Sequence, residues 1–224
     1  MGTTAQKLNK ILETKEAIRT AINNKGGTLT TTDTFASYPS AIDSLPSGGG
    51  GSLKTLLDAT KSCYYLFADY KGTSVDDLIS YSDTSSVTNM IYMFYYCINL
   101  TTIPQFNTSK VTDMSSMFYS CYKLTKIDIT HMNITSTSYS GSFAYNCYSL
   151  TKLIIRNMDS IPTLSSSAFS NCYHFTGTTN ATYNPQGLKD GRIYVPDDKV
   201  DALKTATNWS TYADIIVPLS TLVE

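Results

Sequence analysis

The sequence predicts an α/β fold assembled from one short unit written several times over, and three observations predict it. The run Met93-Phe94-Tyr95-Tyr96-Cys97-Ile98-Asn99-Leu100-Thr101-Thr102-Ile103 returns as Met117 to Ile127, as Phe143 to Leu153, and in eroded form as Ala168 to Thr176. The cysteines of these copies fall at 97, 121, 147 and 172, a period of about 25 residues, with a leucine or phenylalanine three residues after each. Within one copy, Val111, Met114, Met117, Phe118 and Cys121 follow helical spacing, and Ile127 and Ile129 then alternate as a strand does. A unit that pairs one helical side with one strand buries nothing alone and needs its neighbours. The expected architecture is therefore a leucine-rich repeat solenoid of about four to five coils. A C-terminal strand–helix cap follows it, and an N-terminal α-helix and a Gly-rich hinge precede it.

Residues 1–46 read as a helical attachment and oligomerisation module. Leu8, Ile11, Leu12, Ile18, Ala21 and Ile22 share a helical stripe, with Glu13, Lys15, Glu16 and Arg19 off it. Thr4 suits an N-cap and Lys25-Gly26-Gly27 a stop. The stripe must be covered either by the rest of the chain or by copies of itself. Thr28 to Thr32 suggests a strand, and Ala36 to Leu45 a second short helix. Residues 47–52, Ser-Gly-Gly-Gly-Gly-Ser, have linker composition.

Residues 53–190 form the repeat domain. Its first copy, around Tyr64-Tyr65-Leu66-Phe67, has no cysteine at the corresponding place, as expected of a terminal unit. By Asp83 to Met90 the pattern has settled, since that octet matches Asn107 to Met114. Pro104 and Pro162 limit how far a strand ladder runs beside them. After Tyr173 the repeat gives way to a loop at 176–180. Residues 191–224 read as the cap: Arg192 to Val195 as a final strand, then a helix from Pro196 to about Thr207. Trp209, Tyr212, Ile215 and Ile216 pack this tail over the last coil.

Composition excludes several functions. A net charge of −1, with 16% charged residues and no basic block, leaves no footprint for nucleic acid. No apolar run reaches the length of a membrane span, so membrane insertion is not expected. Met1 to Lys7 is polar and lacks the apolar stretch of a secretory signal, so export by that route is not expected. Cysteines on adjacent coils would stand within bridging range, yet without export they are expected reduced, as small buried hydrophobes.

The segments Val111-Thr112-Asp113-Met114-Ser115-Ser116-Met117-Phe118 and Cys121-Tyr122-Lys123-Leu124-Thr125 closely resemble the BspA-like leucine-rich repeats, also known as mycoplasma-lipoprotein-type repeats. The ending from Ile193 to Asp197 and from Ala206 to Asp214 looks like the closing segment of such bacterial surface proteins. The resemblance spans residues 60–222 and implies surface display, adhesion and no enzyme activity. Residues 8–22, with Lys25-Gly26-Gly27-Thr28 and Phe35 to Pro39, are similar to a segment common in tailed-phage structural and fibre proteins. Together with the polar N-terminus, this leads us to expect a phage virion protein, a head or tail fibre or decoration protein, assembled in the host cytoplasm. Residues 1–46 would hold it to other virion proteins, with Leu8, Ile11, Leu12, Ile18 and Ile22 driving self-association, a trimer being favoured. The alternative is a bacterial BspA-like adhesin at the cell surface.

Seventeen tyrosines against eight phenylalanines and one tryptophan is the outstanding bias. They form two ladders, Tyr95, Tyr119 and Tyr145 two residues before each cysteine, and Tyr122, Tyr148 and Tyr173 just after it. Rigid aromatics repeated on every coil suit a host-surface glycan or protein; alternatively they only shield the helical side. No residues are assigned to catalysis, metal or cofactor. His131 and His174 are far apart with no second ligand at metal spacing, and the cysteines lack paired CxxC spacing. The neighbouring carboxylates Asp76-Asp77 and Asp197-Asp198 point apart, and a helix cap accounts for the second pair.

Overall fold

The computed structural model describes residues 19–20, 23, 57–58, 60–76, 79–80, 83–132 and 141–223. Each unit opens with a short polar side chain that diverts the backbone from a helix. Ser62, Asn89 and Asp113 hold the same place in successive units and are bridged in parallel, Ser62 to Asn89 and Asn89 to Asp113. Their side-chain oxygens accept the amide two residues on, from Tyr64 at 3.2 Å, Ile91 at 2.9 Å and Ser115 at 2.9 Å. Local bonds of this kind compete with the helical ladder.

A tract of tight turns comes next in each unit, its amides alternating in direction. In one unit the amides of Met117, Tyr119 and Cys121 bond to the carbonyls of Met114, Ser116 and Phe118, three residues back. Between them, Phe118 and Ser120 donate to Phe143 and Tyr145 in the next unit. The preceding unit repeats this, with Phe94 and Tyr96 donating to Met117 and Tyr119. Two residues per unit, four apart, have positive φ: Tyr92 and Tyr96, Ser116 and Ser120, Ser142 and Asn146. Left-handed residues interrupt right-handed winding, so of the short helix or helical turn that the spacing of Val111 to Cys121 suggests, turns form and a helix does not. The buried stripe does form: Val111, Met114, Met117, Phe118 and Cys121 are all buried.

The core is a set of ladders running through the units. Phe67, Phe94 and Phe118 stack face to face, with centroids 5.5 and 5.4 Å apart and planes 5° apart. The next unit exchanges sizes: Phe143 takes the Met117 place and Ala144 the Phe118 place, as the shared bonding to Cys121 and Cys147 shows. Phe118 therefore meets Phe143 edge-on at 86°. Ala168 and Phe169 then return the phenylalanine to the Phe118 place, carrying the same two side chains as Phe143 and Ala144 in reversed order, which keeps volume while moving it sideways. All five cysteines are free and buried. Four thiols donate to backbone carbonyls of the preceding unit: Cys97 to Phe67, Cys121 to Phe94, Cys147 to Phe118 and Cys172 to Ala144, at 2.9–3.1 Å. Cys63 instead fills the place of Met90 in the first unit, and Tyr70 the place of Cys97.

Beyond each tract the chain extends into a mixed α/β arrangement with one four-stranded parallel sheet. Its strands, in order, are β1 (Lys126–His131), β2 (Lys152–Asn157), β3 (Arg192–Val195) and β4 (Ile216–Pro218). Ile127, Leu153, Ile193 and Ile216 stand side by side in register and point into the core. The unit holding Pro104, which has no amide to donate, adds a single bridge from Phe106 to Ile129.

The tail departs from its predicted form in three places. An unpredicted four-residue helix, α1 (Tyr173–Thr176), ends on Gly177 at φ 71°, so the loop expected over 176–180 begins at Gly177. The predicted helix after Val195 is a 3-10 turn (Asp197–Lys199) leading into α2 (Val200–Thr205). Arg192–Val195 is not the last strand, because Ile216, read as packing residue, begins β4 and pairs with Ile193. Trp209 does close the core end as expected: it is fully buried, and its indole Nε1 donates to the Pro162 carbonyl at 2.8 Å.

In the N-terminal segment, Arg19, Thr20 and Asn23 are helical. Leu8, Ile11, Leu12, Ile18 and Ile22, the strand and second helix expected over 28–45, and the linker at 47–52 lie outside the described residues.

Candidate functional site

The alternating turn tract brings both predicted tyrosine ladders into being. Tyr95, Tyr119 and Tyr145 stack at 5.1 Å per step, their planes 27° and then 10° apart. Tyr122, Tyr148 and Tyr173 stack at 4.7 and 5.2 Å, at 10° and 19°. These steps equal the spacing of hydrogen-bonded neighbouring backbones, so the ladders inherit their period from the inter-unit bonds. All six rings are half-buried.

The two ladders are one surface. The Tyr119 hydroxyl sits in the field of Tyr96, Tyr145, Tyr122 and Tyr92, and that of Tyr148 in the field of Tyr122, Tyr173, Tyr183 and Tyr145. Burial first, and then these neighbours, hold the Tyr95, Tyr119 and Tyr148 phenols above their ordinary range. Each phenol hydroxyl on this surface can both donate and accept a hydrogen bond. Because the rings stack on each other, their faces are largely spent within the ladders, and ring edges and hydroxyls remain for a ligand.

The surface is wider than the sequence reading made it. Tyr65 meets Tyr92 at 4.7 Å, and Tyr92 meets Tyr95 at 5.2 Å. Tyr64 joins Tyr65 at 5.0 Å, its phenol pushed up to about 12 by burial and then by Tyr92 and Asp113. Tyr96, 41% exposed, packs at 4.7 Å on Tyr95. One signal was available: the offset of 27 that relates Phe67 to Phe94 also relates Tyr65 to Tyr92. At the far end Tyr183 joins Tyr148 at 4.8 Å. No repeat places it there. His174 does, its Nδ1 2.7 Å from Asp190 Oδ1 and its Nε2 3.0 Å from the Tyr183 carbonyl.

Two buried polar atoms among the described residues, Ser86 Oγ and His131 Nδ1, have no hydrogen-bond partner, and other polar groups are engaged locally. His131 Nε2 lies 3.1 Å from the Asn157 amide nitrogen. Asp197 accepts the Ser220 amide at 3.0 Å, and hydrogen bonds from Ser220 keep its carboxyl below the usual range. Asp198 pairs with Lys199 at 3.0 Å. Among the described residues no three His, Cys, Asp or Glu side chains gather as a metal would require, and no helix is long and apolar enough to cross a membrane.

A family model described as "Mycoplasma protein of unknown function, DUF285" matches residues 61–182, more than half of the chain. The chain belongs to this family. DUF285 is the mycoplasma repeat type that the Val111–Thr125 segments resemble, and the matched span takes in all six ladder tyrosines. No curated protein matches the chain, and no solved structure does.

Proposed function

We propose that this DUF285 chain is a surface-displayed recognition protein without enzyme activity. In this reading its repeats wind as a leucine-rich repeat solenoid, and its tyrosine face binds a glycan or protein on a host surface. One observation carries the proposal: the tyrosines are stacked in unbroken ladders across successive units, half-exposed, at a period set by the backbone. A merely shielding surface needs apolar cover, whereas these rings present hydroxyls, the group that gives tyrosine-rich recognition surfaces their hydrogen bonding.

Display on a phage particle, as a head or tail fibre or decoration protein held and trimerised through residues 1–46, is supported by the likeness of residues 8–39 to phage fibre segments. A bacterial surface adhesin is the second reading, and the mycoplasma family match favours it. Finding the chain by mass spectrometry in purified virions, and not in the bacterial surface fraction, supports the first; the reverse supports the second. The binding role is tested by replacing Tyr119, Tyr122 and Tyr148 together with Ser. Binding to host cells or a glycan array is expected to fall by about tenfold or more, as loss of several aromatic contacts implies. Unchanged binding by a folded triple variant removes the tyrosine face from the function.

A further inference from the structure

The sheet lines up three cations. Lys126, Lys152 and Arg192 are directly paired positions on β1, β2 and β3. The residues after them, Ile127, Leu153 and Ile193, are fully buried, so alternation puts all three cations on the outer face of the sheet. Neighbouring strands lie about 4.8 Å apart, and like charges set directly opposite one another destabilise a sheet.

Nothing in the described structure relieves that repulsion at the two lysines. Neither Lys126 nor Lys152 has an ion pair or side-chain hydrogen bond among the described residues. The nearby carboxylates are occupied. Asp128, two residues along from Lys126, accepts at Oδ1 from Arg156 Nε at 2.9 Å and from the Gln105 amide at 3.1 Å, and at Oδ2 from Arg156 at 2.8 Å. Asp190 faces His174, and Asp214, which also feels Arg192, holds Lys189 at 2.9 Å. Arg192 donates one guanidinium nitrogen to the Gly191 carbonyl.

We infer that this row is an anion-binding strip for an acidic polysaccharide carrying a carboxylate on each sugar. The inference rests on the recognition reading above and names its ligand class. Such a chain repeats its charge along its length, as the cations repeat from strand to strand. The lysines act as point charges and Arg192 as a planar fork suited to carboxylate. Lys126 and Lys152 each follow a ladder tyrosine, Tyr122 and Tyr148, by four residues. The carboxylates of such a chain would meet the cations one strand after another.

The test is calorimetric titration of the full chain with a polygalacturonate oligosaccharide at several salt concentrations, beside a neutral oligosaccharide of equal length. Binding that weakens as salt rises is expected, with K126Q/K152Q about tenfold weaker and the neutral sugar weaker by at least about tenfold. The melting temperature of Lys152→Gln should rise, since a like-charge contact goes, which also shows that the variant folds. Failure to bind polygalacturonate, equal binding by K126Q/K152Q, or equal binding of a single-stranded DNA of matched charge overturns the inference. The Tyr119, Tyr122 and Tyr148 triple variant separates the two readings. If it keeps polygalacturonate binding while K126Q/K152Q loses it, the cation row stands and the tyrosine face falls; the opposite pattern sinks the row alone.

Discussion

Asn171 shows how a single side chain serves this architecture. It sits at φ 61° in the place that Tyr96, Ser120 and Asn146 hold in earlier units, and its amide donates to Asn146 Oδ1 at 2.8 Å. Asparagine tolerates the left-handed region better than other non-glycine residues. Asn171→Ala should lose about 1–2 kcal/mol, from backbone strain and the missing bond together. Asn171→Gly keeps the backbone at ease and should lose clearly less. Urea denaturation of both variants checks this, and equal losses would assign the whole effect to the side chain. This position also marks what the sequence hid. The spacing of Val111 to Cys121 is helical, and it names the buried residues correctly. It does not show that Ser116 and Ser120 turn left-handed, because serine carries no obligatory signal for that conformation in the way glycine does.

At the scale of an element, the strands were legible and the tail less so. β1 announces itself through Ile127 and Ile129, and β2 repeats it at Leu153 and Ile155, because alternation is a local pattern. β4 is three residues long, Ile216-Val217-Pro218, and carries no alternation to read; only pairing with β3 from Ile193 on makes it a strand. The tyrosine ladders were visible because they repeat, whereas Tyr183 depends on a histidine contact across a loop. The phenylalanine ladder allows a sharper statement. Phe118 stacks on Phe94 on one side and meets Phe143 edge-on at the other. Phe118→Ala should cost about 3–5 kcal/mol, since no small-to-large partner exists to refill the space. The neighbouring unit already shows the remedy: F118A combined with Met117→Phe copies the Phe143–Ala144 arrangement and should recover part of that loss in the same denaturation assay.

For the whole molecule, stability should decline in alkali. Burial pushes Tyr64 and Tyr212 up to about 12, and raises Tyr65, Tyr95, Tyr119 and Tyr148 as well. Burial likewise raises the Cys63, Cys121 and Cys172 thiols. In the unfolded chain thiols release protons near about pH 8.5 and phenols near about 10. Between those values and the folded-state values the native protein holds more protons than the unfolded one, so stability falls as pH rises. It is fully present below about pH 8 and is lost progressively above it. Melting temperatures at stepped pH should be level near neutrality and drop steeply beyond about pH 10, and a profile flat to pH 12 would contradict the buried tyrosine network.

The turn tract also works as a ruler. From the left-handed residues Tyr92, Ser116 and Ser142 to Cys97, Cys121 and Cys147 the chain spends the same number of residues, although these cysteines stand 24 and 26 apart. That difference in length is therefore taken up between one tract and the next. Insertions there leave the tyrosine spacing untouched, so descendants of this chain are free to diversify their flanks without losing the period of the surface they present.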